Sequence, residues 1–204
     1  MTWMLTATGA QLDLRFLRDD AISLLDIAHH LSQINRFTGA CSRPYSVAEH
    51  SMLVERIGAA RGASPGLRLA LLMHDAHEAY TSDLASPAKI SVGTAWRSFE
   101  AHHALNVRHH FGMRTAFTAW RKEIDLCDRI ALATERRDLM PYDPGQHDPW
   151  PILDTPGQEV PCAQEHIDPD EPPLAWRAMR DAFINRYLML REQQQAQHRT
   201  TATA

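Results

Sequence analysis

Apolar residues recur along most of this chain at helical spacing. Residues 21–34 carry them at Ile22, Leu24, Leu25, Ile27, Leu31 and Ile34, which predicts an amphipathic helix. Ser46 with Glu49 three residues on has the form of a reciprocal helix cap and predicts a helix from Ser46 to about Gly62. Further helices are predicted at about Pro65 to Tyr80, at about 94–111 and at about 114–140, the last two parted at Gly112. Leu174, Met179, Phe183, Tyr187 and Leu190 predict a final helix over 174–193.

The remaining stretches lack that period. Residues 1–20 hold short alternating pieces (Met4 and Leu5, then Leu12, Leu14 and Phe16) around Thr8-Gly9, and read as a small β-hairpin or an irregular arm. Arg36 to Tyr45 is a loop marked by Gly39 and Pro44, and Thr81 to Pro87 a short connector. Nine of the twelve prolines fall in 141–173, which therefore cannot be one regular element and reads as a long surface loop. The polar stretch 193–204 is expected to be disordered. A chain of 204 residues suits one domain. The expectation is thus an all-α, single-domain bundle: an arm at 1–20, a helical domain at 21–192, and a tail.

Composition narrows the partners. The net charge is -4 with no basic tract, which argues against a nucleic acid polymer, because phosphate backbones are bound through clustered Lys and Arg. A small anion needs only one or two local cations and stays open. The longest aliphatic run, Leu69 to Met73, is far short of the roughly 20 residues of a membrane span. Cys41, Cys127 and Cys162 form no C-x-x-C pair and fit a reducing compartment. With no basic-then-apolar leader at the start, the cytoplasm is the expected location.

Three places bring polar groups of metal-ligand type to apolar faces. His74-Asp75 directly follows the aliphatic run, and burying an imidazole and a carboxylate together is costly unless they are paired or coordinate a metal. His50 is flanked one turn away by Val47, Leu53 and Val54. Asp128 has Ile124, Ala131 and Leu132 around it, whereas Asp125 faces Asp128 and Arg129. Two imidazoles and two carboxylates suit one divalent transition ion such as Mn, Co, Fe or Zn. A lone histidine on an apolar face is more often a hydrogen-bonded core residue, and periodicity alone does not join the three places in space. The adjacent pairs His29-His30, His102-His103 and His109-His110 point about 100° apart on a helix and make poor clamps. His74 to Glu78 is not H-E-x-x-H, and no Gly-rich phosphate loop ends in Lys-Ser/Thr.

The order His50, then His74-Asp75, then Asp128 resembles the H…HD…D signature of the HD-domain metal-dependent phosphohydrolases. Tyr45 to Ser51 is similar to the first ligand helix of their 5'-deoxynucleotidase-like branch. His74 to Lys89 resembles that branch's pattern HDxxExxxxDxxxPxK, and Thr134 to Leu139 its third ligand helix. Arg36-Phe37 looks like the Arg-aromatic pair of its nucleotide pocket, with Phe where Trp is usual, so sugar selectivity is left open. The resemblance covers about residues 22–140.

It implies a helical HD fold, one metal on His50, His74, Asp75 and Asp128, and catalytic roles for Glu78 and Asp83. Arg36, Phe37 and Lys89 are the expected substrate contacts: Arg36 as a forked clamp on phosphate or sugar, Phe37 as a stacking surface, Lys89 as a second cation. The implied activity is hydrolysis of the 5'-phosphate ester of small (deoxy)nucleotides, with nucleoside monophosphates ahead. The alternative is a deoxynucleoside triphosphate triphosphohydrolase releasing tripolyphosphate, disfavoured because Arg36, Arg43 and Lys89 form no clear cationic cluster. A non-catalytic nucleotide-binding module is a third reading, set back by the presence of all four ligands and both acidic helpers. The resemblance also implies a homodimer, for which Trp96, Phe99 and Trp120 offer an apolar face.

Overall fold

The computed structural model describes residues 3–15 and 17–202, and serine side chains cap the starts of its first three α-helices at Ser23, Ser46 and Ser64. The chain is all-α in one domain with a small N-terminal hairpin. In that hairpin β1 (Trp3–Leu5) pairs antiparallel with β2 (Gln11–Asp13), Met4 opposite Leu12. The buried carboxylate of Asp26 pins its turn, accepting from Thr8 N at 2.8 Å and Thr8 Oγ1 at 2.7 Å. Phe16, read with the arm, lies outside the described residues.

Helix α1 (Leu24–Leu31) starts at Ser23, whose Oγ accepts from Asp26 N. Helix α2 (Val47–Ala60) starts at the expected reciprocal cap of Ser46 and Glu49. Helix α3 (Pro65–Leu72) does not run on to Tyr80 as its apolar spacing predicted. The backbone tightens into three-residue turns, Ala76 N to Met73 O and Glu78 N to Asp75 O, before a single turn α4 (Glu78–Thr81). The cause is local: His74 Nδ1 bonds the Leu71 carbonyl at 2.8 Å, so a side chain takes the acceptor that would have continued the helix.

The connector yields a further short helix, α5 (Ser86–Val92), parted by Gly93 from α6 (Thr94–His110). The stretch expected as one helix from 114 is two, α7 (Arg114–Ala119) and α8 (Arg121–Leu139), broken at Trp120. Trp120 packs inward against Gly66 of α3 and so joins the core. The proline-rich loop holds one turn, α9 (Pro151–Asp154), and lies along α8: Arg136 makes a forked pair with Asp154, and Thr134 Oγ1 accepts from Ala163 N at 2.8 Å. Helix α10 (Trp176–Ala202) runs past 193, where disorder was expected. Residues 191–199 are mostly Glu, Gln, Ala and Arg, and no Gly or Pro follows through 202, so good helix formers meet nothing that stops them.

Helix α10 packs against α1, α2 and α3 and buries Phe183 and Leu190 completely. Helix α2 lies between α3 and α8. It approaches α3 so closely at Gly58 that a methyl there would collide with Leu71. Among the described residues no helix is long and apolar enough to cross a membrane.

Candidate metal centre

Helix α2, the turn after α3, and α8 meet at one point, and each delivers a metal-ligand side chain there. His50 Nε2 lies 3.2 Å from His74 Nε2, 3.2 Å from Asp128 Oδ1 and 3.5 Å from Asp75 Oδ2. His74 Nε2 lies 3.1 Å from Asp75 Oδ2 and 3.7 Å from Asp128 Oδ1. The four residues singled out in the sequence are therefore together. The ligand atoms of His50, His74 and Asp128 all lie within 4.8 Å of one another, and this buried group can hold a metal ion.

The donor set fits. His50 Nδ1 sits 2.6 Å from Glu135 Oε1, and His74 Nδ1 2.8 Å from the Leu71 carbonyl. Both neighbours accept, so Nδ1 carries the proton on each ring and the Nε2 lone pairs point at the common centre. The His50 side chain has 0% exposure and that of His74 6%, against 20% for Asp75 and 43% for Asp128, so the cluster is closed on its imidazole side and open on its carboxylate side.

The electrostatics ask for positive charge. Burial, and after it Arg36, oppose a charge on His50, yet Glu135, Asp128 and Asp75 outweigh them and hold its pKa well above the usual value. His74 is pushed up to about 9 in the same way, the Asp75 carboxylate overcoming the effect of burial. Burial disfavours charge on Asp75 and Asp128, and the two imidazoles still hold both well below the usual carboxylate range. Carboxylates that draw protons onto both Nε2 atoms would draw a cation to the same spot, and the two compete.

Glu135 had no role in the sequence reading. It is wholly buried and joins two site residues, taking His50 on one oxygen and Arg36 Nη2 on the other at 3.1 Å. Burial pushes its pKa up, but Arg36 and His50 prevail and keep it low. Its signal was present: Glu135 stands seven residues, two helical turns, after Asp128 and so shares its face.

Arg36 is buried, with Nη2 on Glu135 and Nη1 3.8 Å from Asp83. The expected clamp thus already faces two carboxylates. It is set there by a strained turn in which Phe37 (φ 53°) and Thr38 (φ 55°) are both left-handed. The Phe37 ring lies under the Arg36 guanidinium, 5.1 Å from centroid to Cζ, and 6.4 Å from the Trp150 ring.

Glu78 is 3% exposed, and its Oε2 has no hydrogen-bond partner among the described residues. Burial and the nearby Asp75 and Asp83 push its pKa well up, against the pull of Lys89 and Arg36. Asp83 is raised too, chiefly by burial. Lys89 reaches Glu78 at 3.5 Å and Glu100 at 2.6 Å, so it serves these two carboxylates. Glu100, a second group absent from the sequence reading, also lies 3.9 Å from His77 Nε2.

No family model matches the chain. It is 35% identical over 154 residues to the uncharacterized protein YfdR of Escherichia coli (strain K12), covering 76% of this chain and 80% of that protein. It is 31% identical over 163 residues to the uncharacterized protein RCAP_rcc00048 of Rhodobacter capsulatus, covering 74% and 82%. The chain belongs to the same family as these two proteins.

Proposed function

We propose that this member of the YfdR family is a metal-dependent phosphohydrolase that cleaves the 5'-phosphate ester of small (deoxy)nucleotides. The observation that carries the reading is the convergence of His50, His74, Asp75 and Asp128 near a buried Glu78 whose pKa is pushed up. The resemblance of the same residues to the HD signature supports it.

The residues would act as follows. A divalent ion of the Mn, Co, Fe or Zn class held by the four ligands would polarise a phosphoryl oxygen and lower the pKa of an attacking water. Glu135 and the Leu71 carbonyl keep the imidazoles in the liganding tautomer. Glu78, whose raised pKa favours the protonated form and whose Oε2 has no partner among the described residues, would donate a proton to the departing sugar oxygen. Asp83 and Arg36, themselves 3.8 Å apart, both act on that group, the first raising the Glu78 pKa and the second limiting the local negative charge. Nucleoside monophosphates are the leading substrates. The triphosphate reading gains from the arginine-lined cleft described below.

The test is to strip the protein of metal, add back Mn, Co, Zn or Mg, and identify the products from deoxynucleoside mono- and triphosphates. Metal-dependent phosphate release from monophosphates, lost in Asp75→Ala, is the expected result. Tripolyphosphate release would replace it with the second reading. No turnover with any metal would overturn both.

A further inference from the structure

A cleft of about 440 Å³ opens between α6, α7 and α8, and none of the four ligands lines it. Arg108, Arg114 and Arg121 line it together with Phe117, Ile124 and one acid, Asp125. Arg121 approaches Asp125 only to 4.0 Å. The side chains of Arg108 and Arg114 have no carboxylate partner among the described residues; Arg108 lies flat over Phe117, 4.2 Å from Cζ to the ring centroid. Arg114 is exposed, but Arg108 is half-buried, and a half-buried guanidinium is ordinarily paired. Here burial instead depresses the Arg108 pKa, and the charge acting on it most strongly is Asp75 of the metal centre. Ile124 and Asp125 stand one helical turn before Asp128 on α8, so the cleft and the cluster share a wall.

We propose that this cleft is a binding site for a chain of phosphates. Three planar forks around one cavity suit a ligand with several anionic oxygens on successive centres, whereas a single carboxylate would occupy one fork and leave two charges unanswered. The phosphates can be those of a nucleotide reaching out from the metal centre or those of a free inorganic polyphosphate. Only the first source rests on the phosphohydrolase reading.

The probe is inorganic tripolyphosphate, titrated calorimetrically into the full chain at low salt. Saturable binding is expected, weakened about tenfold or more by Arg108→Gln and by Arg114→Gln, as loss of a charge-assisted contact implies. Arg97→Gln, on the exposed start of α6, should leave it unchanged. Arg114 is exposed, so its variant keeps the test open should Arg108→Gln fail to fold. Absence of saturable binding, or binding indifferent to both cleft variants, would overturn the site. Because nothing in this measurement needs turnover, a chain without hydrolase activity can still pass it. With binding established, a fall in triphosphate but not monophosphate hydrolysis in Arg114→Gln identifies substrate phosphates. Unchanged hydrolysis of both identifies a separate polyanion.

Discussion

The imidazole of His50 and the carboxylate of Glu135 meet at 2.6 Å, both without exposed surface, although they lie on helices 85 residues apart in the chain. That contact fixes which nitrogen of His50 faces the cluster. The second oxygen of Glu135 holds Arg36, so one carboxylate orients a ligand and neutralises a buried cation.

Glu135 should therefore fail in two separable ways. Glu135→Gln keeps a polar group at the same place and should leave the fold standing while metal affinity drops roughly 10- to 100-fold. Glu135→Ala also strands Arg36 and should lower stability by about 3 kcal/mol. Metal titration followed by thermal melting of both variants separates the effects; equal metal affinity in Glu135→Gln and the parent would refute the orienting role.

Gly58 sets the spacing between α2 and α3. Gly58→Ala gains helix propensity but drives a methyl into Leu71, and the collision should win, with a net loss of about 1–3 kcal/mol in denaturant melts. Since the Leu71 carbonyl holds His74, metal affinity should weaken in the same variant.

His103 on α6 is completely buried, and burial, with His102 second, holds its pKa down to about 4 against an ordinary 6.5. A group with a lowered folded pKa binds fewer protons folded than unfolded, so stability should fall as pH drops from about 6.5 to about 4. At about 1.4 kcal/mol per pKa unit the loss is on the order of 3 kcal/mol. Denaturation curves across that range should show the slope, and His103→Leu should flatten it.

Thr38 sits left-handed with a β-branched side chain exposed to water. Thr38→Gly should relieve the strain and raise stability by about 0.5–1 kcal/mol, after the entropy glycine loses on folding. If melting is unchanged or lower, the turn is not strained in the sense its dihedral angles indicate.

Much of this was legible in the residues. The helices around His50 and Asp128 follow apolar spacing, and Ser46 and Glu49 announce one start outright. The break after Leu72 was not legible, because periodicity continues through it and only the His74 bond to a backbone carbonyl ends the helix. The extension of α10 was masked by its polarity, which resembles a disordered tail until Phe183 and Leu190 seat the helix. The four ligands could be named singly from their apolar surroundings, while their meeting depended on the packing of α2 and α8. Glu135 hid in plain view two turns from Asp128, since a glutamate on a helix is usually solvated. The arginines of the cleft come from three elements, and no linear window gathers them.

Helix α10 also carries a consequence for how the protein is made. It covers α1, α2 and α3, all of which leave the ribosome long before it does. Until it arrives, the grooves that Phe183 and Leu190 will fill stay open to water and to other nascent chains. Such a chain cannot complete its core piecemeal; it waits, sticky, for its closing segment. Interrupted synthesis before residue 176 should leave material that aggregates or is held by chaperones, while a released chain that extends past Leu190 can close.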